Sequence, residues 1–431
     1  MQEIKIIVGA SYGDEGKGLA ADYFGSRASD LINVLTNGGP QRGHTVETAD
    51  GLRHVFKHFG AASFRGAASY FDRQFMVNPM EFIREYEELS AMHRAPVAFM
   101  HPDCRFTTPW DMMVNQLLQK KKGTHNSCGF GIWETVLRCQ RGWGISFGAF
   151  AKMSREDRLA YLRRIRDTYF FGRMREIFKA PDGSPSCFGG IHGFKDLCGF
   201  KGMHGFKNLC GFKDLCGFGD MHDFFFSEEL LFHFEEDFEC MLRLCPLRPE
   251  SFLKHFHTVI FENAQGLLLD GNMEKGREFT TPSTTGMGKV FQTVESVFEG
   301  ADAEVCYITR SYLTRHGDGP MEHEIRGSQI RNLLPGVVAD ATNVGNSFQG
   351  SLRYGMMDAD LLIKRIENDY ANSSVPCRNF YRSSLMVTHL NEYAGVDPDL
   401  LADRFGTVYL SDGRTGQDVM TYSGQARKQC G

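Results

Sequence analysis

A chain of 431 residues, 42% of them apolar and 23% charged, with a formal net charge of −5, has the composition of an ordinary soluble globular protein. That balance excludes a global pull toward nucleic acid or an acidic membrane, so neither partner is expected and any phosphate binding has to come from local sites. No apolar run reaches transmembrane length, no secretory leader pattern is present, and the twelve cysteines form no CxxC pairs, so the expectation is a cytoplasmic protein with reduced thiols.

In chain order, the first apolar run, "IKIIVGA", is β-branched and reads as a buried strand. It leaves through "GDEGKG" (13–18) into "LAADYF", the start of a helix. A strand, a Gly-rich bend and a helix N-terminus make an anion cradle of backbone N–H groups, to which Lys17 adds a full positive charge. "DLINVLTNGG" (30–39) supplies a second buried strand that also runs into a Gly-rich bend, giving two such bends at the ends of neighbouring strands. "NPMEFIREYEELSAM" (78–92) has an Asn N-cap, Pro at the first helical position and apolar residues at helical spacing. "RAPVAFMHP" reads as a short strand, and the Arg-dense, amphipathic stretch 154–179 as a surface helix pair.

From residue 193 five near-copies of a hexad follow, "GFKDLC GFKGMH GFKNLC GFKDLC GFGDMH". Short repeats can stack as a solenoid, but these carry few bulky apolar residues, and residues 188–222 read better as a low-complexity insertion in one otherwise complete domain. The six-residue spacing of His192, Cys198, His204, Cys210, Cys216 and His222 is not a zinc spacing. Beyond it a helix is expected in "HDFFFSEELLFHFEEDFECMLRL", then strands at "HTVIFENAQG", "AEVCYITR" (303–310), "SSLMVTHL" (383–390) and "FGTVYLSD" (405–412), with a helix in "MMDADLLIKRIENDY". The alternation predicts an α/β fold: a large, mostly parallel central sheet flanked by helices.

The chemistry concentrates in the two bends. "GDEGKG" lacks the spacing and the Ser/Thr of a Walker loop, so it binds phosphate by related physics only. Asp14 and Glu15 would repel a phosphate, which makes sense if Asp14 holds a Mg²⁺ or accepts a proton beside it; a solvated acidic turn is the plain alternative. In "TNGGPQRGHT", His44 has two readings, a donor to a phosphoryl oxygen or a satisfied structural histidine.

"YGDEGKG" followed by "GHT", then "FENAQGLLLD" (261–270), "FTTPSTTG" (279–286), "YLTRHGDGPMEHE" (312–324) and "LSDG" (410–413), resembles the adenylosuccinate synthetase family over nearly the whole chain outside the hexads. The resemblance implies that family's P-loop-NTPase-like fold, a homodimer, and a two-step ligation. Asp14 would remove the N1 proton of IMP while O6 attacks the γ-phosphate of GTP; His44 would stabilise the transferring group and Lys17 contact phosphates. Mg²⁺ would be held by Asp14 and the Gly43 carbonyl, and L-aspartate would then displace phosphate at C6 to give adenylosuccinate. The implied nucleotide contacts are Gly13, Asp14, Glu15, Gly16, Lys17, Gly18, Gly43, His44, Thr45, Ser127, Cys128, Gln265 on the purine nucleotide, Thr281 on its phosphate, His389, Asn391, Ser411 and Gly413. Arg141 would reach the neighbouring subunit's nucleotide, and "TRHGDGP" would lie along the aspartate and phosphoryl path.

Three stretches depart from the family pattern. In "HNSCGFGIWET", Ser127 and Cys128 replace threonines and Phe130 an arginine. The aspartate loop reads "TNVGNSFQGSLRYG", leaving Asn346 and Arg353 for the amino acid. "THLN" (388–391) puts Asn391 where the family specifies guanine with an Asp, which opens the way to ATP. A phage-type branch that makes the 2-amino analogue from dGMP and ATP is similar in these respects, although Asp14 favours IMP; a non-catalytic nucleotide-binding paralogue is the third reading.

Overall fold

The computed structural model describes residues 2–122, 128–177, 225–271, 279–337, 351–372 and 378–423. Nine strands form one sheet: β1 (Glu3–Gly9), β2 (Leu31–Leu35), β3 (Ala68–Phe71), β4 (Ala98–Met100), β5 (Thr258–Glu262), β6 (Asp302–Arg310), β7 (Phe380–Thr388), β8 (Thr407–Ser411) and β9 (Val419–Tyr422). Their spatial order is β9-β8-β7-β6-β1-β5-β2-β3-β4, parallel throughout except for β8 with β9.

The central strand β1 shows why the sheet is two-sided. Ile4, Ile6 and Val8 fall into one buried cluster and Ile7 into the other, as strand alternation requires when both faces are covered. On the Ile7 face lie α1 (Lys17–Gly25), α2 (Pro79–Ala91), α3 (Pro109–Lys122), α4 (Arg155–Arg164) and α5 (Glu228–Leu244); on the other lie α6 (Gly288–Val297) and α7 (Ala359–Asn372). Asn78 caps α2 by accepting from the Glu81 N–H, with Pro79 opening the helix.

Two expectations are corrected. β1 and β2 are not neighbours: β5 lies between them, in register Ile6↔Phe261 on one side and Val34↔Phe261 on the other. Within the amphipathic stretch expected as a surface helix pair, residues 155–177 form one continuous helical run with an exposed and a buried face. α4 runs through a π-helical segment, Ile165–Phe170, into Phe171–Ile177, and Leu162, Ile165, Phe170 and Met174 are buried. Two of its arginines are on the buried face, Arg158 on Glu235 and Arg166 on Glu228. Residues 188–222 lie outside the described residues.

Candidate functional site at the carboxyl edge of the sheet

In a parallel sheet the loops after the strands crowd one edge, where ligands bind at the point of strand-order reversal. Here β1 is that point, flanked by β5 and β6, which arrive much later in the chain. The loops after β1, β2, β5, β6 and β7, together with Gly413 and Arg414 beyond β8, wall a cleft of ≈ 360 Å³.

The loop after β1 is fastened from below by its neighbours. Arg310, ending β6, donates from Nε to the Asp14 carbonyl at 2.5 Å. Thr388, ending β7, donates from Oγ1 to the Glu15 carbonyl at 2.9 Å. Asp14 itself takes φ 54, a left-handed conformation that Asp tolerates better than most residues, and its carboxylate stands 28% exposed in the cleft. Its Oδ2 lies 3.4 Å from His316 Nε2. Glu15 turns the other way: it is buried, accepts the Ser11 N–H, and is pushed up to about 7 by burial despite Lys17 at 3.9 Å. Lys17, buried at the start of α1, is lowered by the same loss of water. Gly18 allows α1 to pass the second bend, since a Cβ there would stand 2.4 Å from the Thr45 carbonyl.

The second bend delivers His44 to a buried triangle absent from the expected site. Its Nδ1 touches Glu262, the last residue of β5, and lies 2.8 Å from Arg42 Nη2, which also holds Glu262. Glu262 Oε2 accepts the Ala61 N–H at 3.0 Å. Burial favours a neutral Glu262, but the Arg42 guanidinium outweighs it and brings the carboxyl down to about 2. Burial and the Arg42 charge lower the His44 imidazole to about 3, so it is neutral. Glu262 and Arg42 both sat in quoted motifs, "FENAQG" and "TNGGPQRGHT", but their pairing spans 220 residues.

Of the residues expected at the site, Gly13, Asp14, Glu15, Gly16, Lys17, Gly18, Gly43, His44, Thr45, Cys128, Gln265, Thr281, His389, Asn391 and Gly413 line this one cleft. Gln265, at φ 65, keeps Oε1 buried with no hydrogen-bond partner among the described residues, so it has an acceptor to offer. Burial pushes the Cys128 thiol up to about 12, which makes it a packing group rather than a nucleophile. Ser411 is buried beneath the wall and donates to the Gly413 carbonyl. Arg141 stands apart, paired at the surface with Glu176 at 3.0 Å. Arg353 is outside the lining too: it grips Glu324 and donates to the Gly317 and Gly319 carbonyls at 3.0 and 2.9 Å. Ser127 and Asn346 fall outside the described residues. Arg42, Glu262 and Arg310 were not singled out from the sequence; Arg315 and His316 lie in "TRHGDGP", the stretch the resemblance put along the aspartate and phosphoryl path.

The family model for adenylosuccinate synthetase matches residues 6–162 and 232–372, both sides of this cleft and well over half of the chain. The chain belongs to the adenylosuccinate synthetase family. Curated family members are distant. Adenylosuccinate synthetase of Borrelia duttonii is 27% identical over 122 residues, 28% of each chain, so the match spans well under two thirds of that relative. The Aquifex aeolicus enzyme is 24% identical over 335 residues, covering 76% of this chain and 66% of its own. Fold similarity runs further. Fully ligated adenylosuccinate synthetase from Plasmodium falciparum superposes over 97% of this chain and 87% of its own, with TM-score 0.59 at 16% identity. The cyanophage S-2L succinoaminodeoxyadenylate synthetase PurZ, bound to dGMP and dATP as an energy donor, covers 97% and 95% with TM-score 0.58 at 14% identity. At such identities the superpositions establish the family fold. The two matched segments of the family model leave out 163–231, which contains the hexads.

Proposed function

We propose that this family member is a purine nucleotide ligase that joins L-aspartate to C6 of IMP through a 6-phosphoryl intermediate, with hydrolysis of GTP, giving adenylosuccinate. The observation that carries the reading is one cleft holding a partly exposed carboxylate, Asp14, together with a buried lysine and a neutral histidine on a glycine-rich phosphate cradle. A protein that only bound nucleotide would have no use for a base beside the cradle.

Asp14 takes the N1 proton of the hypoxanthine, and O6 becomes the nucleophile toward the terminal phosphoryl. Lys17 and the 13–18 backbone bind the negative charge on the moving group. His44, held by Glu262, meets the same group. Gln265 reads the purine through its unpartnered acceptor, and Thr281 binds its 5′-phosphate. The Asp14 carboxylate and the Gly43 carbonyl are oxygen donors on the cleft wall, which suits Mg²⁺, an ion content with few protein ligands beside water and phosphates. Bound there, the ion would neutralise phosphate charge. We place the enzyme in the cytoplasm as a homodimer, with Arg141 serving the partner's nucleotide; among the described residues no helix is long and apolar enough to cross a membrane.

One observation favours a second reading. Asn391 lines the cleft beside Glu392 and Gly413. An amide offers a donor where a carboxylate would accept from guanine, which suits adenine and points to ATP; the phage-type reading joins ATP to dGMP as the purine acceptor. An assay of phosphate release over the four pairings of IMP or dGMP with GTP or ATP, each with and without aspartate, separates the readings. Release requiring IMP and aspartate supports the first, release requiring dGMP the second. No aspartate-dependent release in any pairing means a non-catalytic paralogue.

A further inference from the structure

Arg315 ends a short strand, Leu313–Arg315, that pairs antiparallel with Arg353–Gly355. The side chain forms part of the cleft wall, yet the residue is only 4% exposed. No carboxylate comes within ion-pair distance of it among the described residues. Its Nη1 donates to the Pro320 carbonyl, its Nη2 to the Phe279 carbonyl at 3.2 Å, and its plane lies 4.9 Å from the Tyr12 ring centre. Nε is buried with no partner. Two other cleft cations have an acid at hand, Lys17 with Glu15 and Arg42 with Glu262, whereas Arg310, like Arg315, donates to a backbone carbonyl, that of Asp14. Burial lowers the affinity of Arg315 for its own proton; around it the Arg353 charge opposes its own, while Tyr12 and Asp318 favour it. A guanidinium taken out of water without an ion-pair partner is unfavourable unless a ligand supplies one.

The surroundings are built to hold it there. Gly319 adopts φ 101, and a Cβ at that position would meet Arg315 Nη2 at 2.6 Å and the Phe279 ring at 2.7 Å. Arg353, bonded to the carbonyls on both sides of Asp318 and neutralised by Glu324, braces the turn that carries Gly319. Next along the chain, His316 keeps Nδ1 buried and unpartnered while its Nε2 reaches Asp14. The unpaired cation therefore stands one residue from the group that contacts the proposed base.

We propose that Arg315 anchors a carboxylate of the amino-acid co-substrate, and that Arg353, the arginine the sequence offered for this task, acts only through the turn it braces. The ligand's identity rests on the ligase reading; the anion subsite does not. Guanidinium matches carboxylate geometry, and the phosphate cradle is already served by Lys17 and the 13–18 backbone.

The test uses the full chain with Arg315→Gln, and Arg315→Lys as a variant that keeps the charge but loses the fork. Expected are a KM for L-aspartate at least ten-fold higher in Arg315→Gln, an intermediate value in Arg315→Lys, and a Kd for IMP by calorimetry within two-fold of wild type. An unchanged aspartate KM, or a purine Kd that rises in parallel, overturns the subsite and leaves the ligase reading standing. If the wild type shows no aspartate-dependent turnover, L-aspartate and inorganic phosphate are each titrated into the nucleotide-saturated chain. Aspartate binding lost in Arg315→Gln then upholds the subsite while the ligase reading falls. Absent or unaltered aspartate binding, or phosphate binding lost in its place, overturns it.

Discussion

Asp14 and Asn share an unusual tolerance for the left-handed backbone that position 14 adopts, so Asp14→Asn should leave the loop intact while removing the base. Turnover is expected to fall by about 10²- to 10⁴-fold, with nucleotide Kd changed only a few-fold; near-normal turnover in a variant that binds normally would refute the assignment. Arg42 is a different case. With its guanidinium gone, Glu262 is a buried carboxylate facing only His44 and the Ala61 N–H. Arg42→Ala should therefore destabilise the fold by about 3–5 kcal/mol, read by chemical denaturation, whereas Glu262→Gln together with Arg42→Ala should recover part of that loss. At this scale the sequence displayed the residues that act through their own loop: Asp14, Lys17 and His44 sit in glycine-rich motifs whose local geometry is their meaning. Arg42 with Glu262, and Arg315 with its missing acid, were not readable, because what defines each is who stands beside it after folding.

Elements were legible where pattern and length agreed. β1, β2, β5, β6, β7 and β8 each carry a β-branched or apolar run, and α2 displays its cap and its stripe. β3 is only "ASYF" and β9 only "VMTY", too short for alternation to register. Neighbour relations were the harder matter: two adjacent-looking strands are parted by one that follows more than two hundred residues later. α5 raises a further point of energetics. Asp237 lies on its buried face, 5% exposed, with Oδ2 unpartnered, and burial beside Glu236 and Glu87 pushes its carboxyl up to about 7. A carboxyl whose folded value exceeds its unfolded one binds a proton on folding, so its contribution is present below about pH 4 and is lost as pH rises toward 7. Asp237→Asn should then match wild type at pH 4 and melt several degrees higher at pH 8; a gap that shrinks with rising pH would contradict this.

At the level of the molecule, the family model skips 163–231 while the cleft draws on loops from both matched segments. We therefore propose that the hexads are dispensable to the site's construction. Deleting residues 193–219 is expected to leave kcat and the thermal midpoint within about two-fold and a few degrees of the full chain, and a folded but inactive deletion would give the repeat a role in turnover. The placement of β1 has its own outcome during synthesis. The first strand made is the most enclosed, yet both its edges stay open until residues past 258 and 302 have left the ribosome. For more than half of translation, then, the nascent chain presents a bare apolar template with no partner on either side. Prematurely terminated products would be sticky as well as inert, and a cell making this enzyme has reason to keep a holding chaperone close to the exit tunnel.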